Sequence, residues 1–183
     1  MIPAQLLQVI LDQYALPING VHGVSHWARV LENGRRLAAQ SGAKIEVVEL
    51  FAVLHDSKRR NEGVDFVHGP QGADFARELH GTLFNLSGPD FELLYQACAE
   101  HTYGHTQADV TVQTCWDSDR LDLGRVGIIP RPKRLCTEAA RDPMTLEWAQ
   151  QRAQVHFIPE WVLREWGIDL NGNGGFHAGD QST

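Results

Sequence analysis

The sequence predicts an all-α protein built as one domain, and three observations carry that prediction. Apolar residues recur at three- and four-residue intervals in stretch after stretch, the spacing that lines one face of an α-helix. No alternating apolar–polar run of strand length stands out between them. The 183 residues match one domain in size, long enough to bury roughly two thirds of the surface that the unfolded chain exposes.

The elements follow in order. Residues 3–15 form an amphipathic helix with Leu6, Leu7, Ile10 and Leu11 on one side and Pro3 near its start. Pro17, Asn19 and Gly20 break it. The next helix is expected over 24–40, with Ser25 as N-cap and with His26, Val30, Asn33 and Leu37 on one face. Gly42 closes it. Over 44–57, Val47, Val48, Leu50, Phe51 and Leu54 nearly surround the helix, which marks a buried central element. A polar loop spans Arg59 to Val67. A helix over 68–85 then carries His68, Gly72, Phe75 and Leu79 on one face, and Ser87-Gly88-Pro89 ends it.

Residues 89–103 are helical, with Leu94, Ala97, Cys98 and His101 in line. In the helix over 108–124, Val112, Cys115, Trp116, Asp119, Leu123 and Val126 share a stripe. Asp117 falls on the opposite side, so periodicity makes Asp119 the inward carboxylate. A proline-broken basic loop with Arg131, Lys133 and Arg134 follows. A last long helix over 143–166 carries Leu146, Ala149, Ala153, Phe157, Trp161 and Val162, and Pro159 kinks or splits it. The domain is thus expected over 1–170. The glycine-rich segment 171–183 reads as a flexible tail.

Composition narrows the function classes. Lys and Arg number 16 against 23 Asp and Glu, a net charge of −7, which argues against a nucleic-acid polymer or an anionic membrane as partner. Cys98, Cys115 and Cys136 are widely spaced and form no C-x-x-C pair, so they read as reduced thiols. Met1 to Leu7 has no basic region, and no run approaches the roughly 18 apolar residues of a membrane span. A cytoplasmic protein is expected.

The chemistry concentrates where an apolar run, Leu50 to Leu54, delivers His55 and Asp56 side by side, followed at once by Lys58, Arg59 and Arg60. Imidazole nitrogen and carboxylate oxygen suit Fe, Mn, Zn, Co or Ni. Nine histidines are present, and helical phase sorts them. His26, His55 with Asp56, His68, His101 and Asp119 each fall at an inward position near the end of a different helix. Four imidazoles and two carboxylates can hold one metal ion, or two sharing a carboxylate, with positions left for water.

The order H…HD…H…H…D, with 28, 11, 32 and 17 residues between the groups, resembles the HD-domain superfamily of metal-dependent phosphohydrolases over residues 22–125. His26-Trp27-Ala28-Arg29-Val30 is similar to its opening helix and Leu54-His55-Asp56 to its name-giving motif. His68-Gly69-Pro70-Gln71-Gly72-Ala73 is similar to the segment of the branch with extra histidines. Asp119-Arg120-Leu121 is similar to the segment with the last ligand, with Ser118 replacing an alanine. The resemblance implies a helical bundle around a metal site. In it His26, His55, Asp56 and Asp119 hold a first ion, while His68 and His101 hold a second bridged by Asp56. It also implies a water of lowered pKa for attack at phosphorus. The Gly-Tyr-Pro loop of cyclic-dinucleotide phosphodiesterases is absent, and Thr102, not a second histidine, follows His101.

Around that set, Asp56, Lys58 and Glu62 are the catalytic candidates, Glu62 for proton transfer by its proximity to the motif. Lys58, Arg59, Arg60, Arg131, Lys133 and His105 are the candidates for binding a substrate phosphate. His22 remains open between a loop and a functional residue, and Asp122 between a group supporting the ligands and a surface group. His80, His156 and His177 read as surface or tail residues. The expected protein is a metal-dependent hydrolase of phosphomonoesters or phosphodiesters, nucleotides among them. It would use one or two divalent ions (Fe, Mn, Ni, Co or Zn, with Mg admitted) on a small phosphorylated substrate, and a homodimer is compatible. Two alternatives share the donor set: a mixed-valent di-iron oxygenase of the same superfamily, and a non-catalytic module that binds a metal or nucleotide.

Overall fold

Nine α-helices follow one another along residues 2–170, the part of the chain that the computed structural model describes. They are α1 (Ala4–Gln13), α2 (Val24–Ser41), α3 (Ile45–Leu54), α4 (His68–Leu79), α5 (Gly88–Glu100), α6 (Val110–Arg120), α7 (Glu138–Arg141), α8 (Pro143–Gln154) and α9 (Trp161–Trp166). Among the described residues there is no strand, only an isolated bridge between His80 and Phe84. The fold is all-α. The tail expected over 171–183 lies outside the described residues.

The core forms around α3, whose residues from Val47 to Leu54 are all buried. Its apolar side chains point in every direction, and α1, α2, α4, α5 and α6 accordingly pack around it. Trp27 from α2, Phe51 from α3, Phe75 from α4, Leu94 from α5 and Trp116 from α6 close this core, each worth about 1.5–3 kcal/mol or more in buried apolar surface. A smaller cluster of Leu37, Leu121, Leu135, Ala140 and Ala149 seats α7 and α8 against α2.

Two glycines set how close α4 can come. A Cβ on Gly72 would stand 2.7 Å from the Leu54 carbonyl oxygen and 3.0 Å from that of His55. A Cβ on Gly69 would stand 2.9 Å from the Cys98 carbonyl oxygen. Only hydrogen at these positions lets the start of α4 lie against the ends of α3 and α5.

Several boundaries differ from the sequence reading. Helix α2 starts behind Gly23, whose position makes no side-chain cap, and Ser25 is buried within the first turn. Helix α4 stops at Leu79, six residues early, because His80 turns extended. That histidine is no plain surface residue. Its Nε2 accepts the Leu86 N–H at 3.2 Å, and its ring stacks on Phe91 with centroids 4.4 Å apart. The expected helix over 108–124 ends at Arg120, and a 3₁₀ turn, Leu123–Val126, follows. The basic loop contains a second 3₁₀ turn, Pro132–Arg134, and α7 was not anticipated. The stretch 143–166 divides into α8 and α9 around His156, with φ of +50°, and Pro159. Side-chain caps from Ser87, Asp109, Thr137 and Asp142 start α5, α6, α7 and α8. No helix of the described residues is long and apolar enough to cross a membrane. Cys98, Cys115 and Cys136 are free thiols.

Candidate metal centre

The packing around α3 brings five helix ends to one place. His26 comes from the first turn of α2, His55 from the C-cap of α3, His68 from the first residue of α4, and His101 from the C-cap of α5. Asp119 lies one residue before the end of α6. Asp56 follows α3 in a turn fixed by the Ser57 hydroxyl, which donates to the Leu54 carbonyl at 2.7 Å. All four imidazoles and Asp56 are buried.

The ring nitrogens on the outer side settle the tautomers. Nδ1 of His26 faces Asp122 Oδ2 at 2.7 Å, and Nδ1 of His55 faces the Phe51 carbonyl at 3.1 Å. Nδ1 of His68 faces the Asp65 carbonyl at 2.7 Å, and Nδ1 of His101 faces that of Cys98 at 2.8 Å. These partners accept and do not donate, so each Nδ1 carries a proton and each Nε2 points inward, with a free lone pair whenever the ring is neutral.

Those lone pairs meet in two pairs, His26 with His55 at 3.1 Å and His68 with His101 at 3.0 Å. Asp56 divides itself between them. Its Oδ2 lies 3.6 Å from His26 Nε2 and 3.8 Å from His55 Nε2, while Oδ1 lies 3.0 Å from His68 Nε2 and 3.6 Å from His101 Nε2. Asp119 Oδ1 joins the first pair at 3.5 and 3.9 Å. The donors of His26, His55 and Asp119 all lie within 4.8 Å of one another, as do those of His55, Asp56 and His101.

The donor set fits a metal. Ligands about 2.1 Å from a common ion sit roughly 3.0–3.4 Å apart at their closest, near the separations found. Facing lone pairs repel unless a cation lies between them, and Asp56 Oδ1 is buried without a well-formed hydrogen bond. Burial pushes the His55 imidazole down to about 4, and it carries His26 well below the ordinary histidine range, with Arg125 adding to the effect. Both are neutral near pH 7, the form that ligates. Burial alone would raise the Asp56 carboxyl, but the imidazoles around it, His55 first and then His101, His22 and His68, outweigh it and hold the group well below the usual carboxylate range.

Beside these donors opens a cavity of about 470 Å³, lined among others by His22, Arg59, Glu62, Thr102, Arg125 and Val126. Arg59 is buried against the second histidine pair, with Nη1 3.1 Å from His68 Nε2 and 3.6 Å from Asp56 Oδ1. Its Nη2 donates to the Gly63 carbonyl at 2.5 Å, and its buried Nε has no partner. Glu62 lies on the cavity wall, 3.9 Å from His22 Nε2.

The other sequence candidates lie elsewhere. Lys58 does not line the cavity: its Nζ donates to Gln13 Oε1 at 2.7 Å and caps the Phe75 ring, 3.5 Å from the centroid. The turn after Asp56 sends this side chain outward, where an apolar ring attracts its stem and charge. Arg60 is exposed, with its N–H donating to Asp65. His105 is exposed and does not line the cavity; its ring packs on Tyr103 and Trp116. Arg131 lines a neighbouring groove, and Lys133 lines neither depression. Asp117 is buried away from the donors, accepting from the backbone N–H groups of Cys136 and Thr137.

Sequence reasoning left the supporting shell incomplete. His22 Nδ1 lies 3.0 Å from Asp56 Oδ2, and the Tyr14 hydroxyl donates to the His22 carbonyl at 2.9 Å. Arg29 grips Asp122, which in turn accepts from His26. Arg125 donates to the carbonyls of Val21 and Asp122 and so ties the His22 loop to the end of α6. A signal was present. Arg29 follows His26 by three residues and Asp122 follows Asp119 by three, one helical turn in each case.

The helical fold gathers histidines and aspartates from five helix ends around common points, a donor set that could hold a metal ion. No family model and no curated protein matches the sequence. Among solved structures, the fold is similar to a crystal structure of a predicted HD superfamily hydrolase from an uncultured Thermotogales bacterium. The TM-score is 0.61 at 25% identity, over 89% of this chain and 92% of the other. With the H…HD…D order carried on that fold, the chain belongs to the HD-domain superfamily.

Proposed function

We propose that this chain is a metal-dependent hydrolase of phosphomonoesters or phosphodiesters, nucleotides among them. One observation carries the reading. Asp56, which lines a 470 Å³ cavity together with His101 and Asp119, turns its two oxygens to separate histidine pairs, His26–His55 and His68–His101. The likeness to a predicted HD superfamily hydrolase supports it. His26, His55, Asp56 and Asp119 would hold one divalent ion and Asp56, His68 and His101 a second. Bound there, such ions polarise a phosphoryl oxygen and acidify water.

The chain's own groups do the rest. Arg59 offers its unpartnered Nε, and a fixed positive charge, to an anionic substrate at the cavity floor. Glu62, at the mouth, is placed to exchange a proton with solvent or leaving group. The Nδ1 hydrogen bonds of the four histidines keep every Nε2 directed inward, where the neutral ring presents a lone pair.

Protein carrying a measured metal content, assayed on a broad phosphoester panel, should release phosphate or nucleoside and lose that activity on chelation. Fully loaded protein that hydrolyses none of the panel would overturn the reading. The six-donor set also suits a di-iron oxygenase. Iron retained through aerobic purification, with a paramagnetic signal from an Fe(II)/Fe(III) pair, would select that chemistry instead.

A further inference from the structure

Next to the metal cavity lies a second depression of about 290 Å³. Leu123, Ile128, Ile129, Pro130 and Leu135 form its apolar wall, with Arg131 and Arg134 beside them. Arg120 and Leu123 line both depressions, so the two adjoin along that wall. The Arg120 guanidinium fixes the shared wall by donating to the carbonyls of Arg134 at 3.1 Å and His105 at 2.7 Å.

Two features of the groove call for an occupant. Ile128 and Ile129 are 52% and 70% exposed, and Val126, on the lip of the metal cavity, is 43% exposed. These side chains make an apolar track that leads out of a polar cavity. The side chains of Arg131 and Arg134 pair with no carboxylate among the described residues, in a chain of net charge −7. Unpaired cations beside an apolar wall complement a ligand that is itself apolar with an anionic end.

Resting on the phosphoester reading above, the geometry points to this groove as the seat of the substrate's leaving group. It defines a substrate class: a phosphoester whose alcohol part is an apolar, ring-sized body with a further anionic substituent. An apolar cavity of roughly 150 Å³ accepts a benzene ring, so the groove has room for one ring and its substituent. The phosphoryl group lies at the metal donors and Arg59, the ring crosses Leu123 onto Ile128 and Ile129, and the second anion meets Arg131 and Arg134. A small polyol phosphate would leave the isoleucines in water.

The test is equilibrium binding by titration calorimetry to the Mn²⁺-loaded full chain, using three non-hydrolysable probes: methylphosphonate, phenylphosphonate and 4-carboxyphenylphosphonate. Phenylphosphonate should bind about tenfold or more tighter than methylphosphonate, and the carboxylated probe tighter again. The double variant Ile128→Ser/Ile129→Ser should erase the phenyl gain, and Arg131→Ala/Arg134→Ala the carboxylate gain. Both should leave methylphosphonate affinity unchanged. All four side chains are exposed, so folding is not at stake. Equal affinities for methyl- and phenylphosphonate, or a phenyl gain untouched by the isoleucine variant, would overturn the groove while the phosphoester reading stood. Binding of none of the three would overturn that reading, and this inference with it.

Discussion

Nδ1 of His26 donates to Oδ2 of Asp122 across 2.7 Å, deep in the protein. Asp122 is itself held by Arg29, with Nε donating to Oδ1 at 2.6 Å and Nη2 to Oδ2 at 3.0 Å. The carboxylate fixes the imidazole's tautomer and aim, and raises its basicity toward a cation. Asp122→Asn should therefore weaken metal binding about 10- to 100-fold. Chelator competition measures that loss, with far-UV circular dichroism as the control for folding. Unchanged affinity in a folded variant would remove Asp122 from its positioning role.

The division of Asp56 between two histidine pairs leads to a prediction in stoichiometry. His68→Ala or His101→Ala should reduce bound metal from two equivalents to one, because the group of His26, His55 and Asp119 stays whole. Asp56→Asn should deplete both positions, since each oxygen serves one pair. Elemental analysis after gel filtration reads these counts. One equivalent in the wild type, unaltered by His68→Ala, would rule out the two-ion reading.

What the sequence made legible follows from periodicity. His26 and the residues of α3 fall where helical phase put them, since a stripe of core residues fixes which side faces inward, but Asp117, which phase set opposite Asp119, is the more deeply buried of the two. The ends of helices were less legible. Nothing in the helical pattern marks where His80 turns extended or where α7 forms, because local hydrogen bonds of Leu86 and Thr137 decide these points. The direction of Lys58 was not legible because a turn, not a helix, follows Asp56, and turn geometry is not periodic. The helical pattern leaves Asp122 between a supporting and a surface role and does not single out Arg125, because their contacts, to His26 and Val21, span about 100 residues of chain.

Neighbours in sequence, Lys58 and Arg59 should behave oppositely on substitution. Lys58 sits over Phe75, outside the cavity, so Lys58→Ala should cost no more than about 1 kcal/mol in stability and leave kinetics alone. Arg59 lines the cavity beside Asp56 and His68. Arg59→Ala should raise KM for a phosphoester about tenfold or more, as expected for losing a charged hydrogen bond worth roughly 1.5–3 kcal/mol. Steady-state kinetics of the two variants side by side decides the matter, and equal effects would contradict the assignment.

Asp117 allows a test that is independent of the metal. Its Oδ2 accepts from Thr137 N–H at 2.8 Å and from the Thr137 hydroxyl at 2.9 Å, while Oδ1 accepts from Cys136 N–H at 2.8 Å. Together these bonds pin the start of α7 to α6. Asp117→Asn turns one acceptor into a donor facing donors and should cost about 1–3 kcal/mol. Burial raises the Asp117 carboxyl above its ordinary range, outweighing those hydrogen bonds. With the folded pKa above the unfolded one, the proton-linked stability is fully present below the ordinary carboxylate pKa and is lost as pH rises through the raised one. The asparagine variant lacks that titration. Thermal melts of both proteins from pH 3 upward should thus show the gap between them largest in acid and narrowing toward neutrality. A gap that widened with pH would mean that the hydrogen bonds, and not burial, dominate at Asp117.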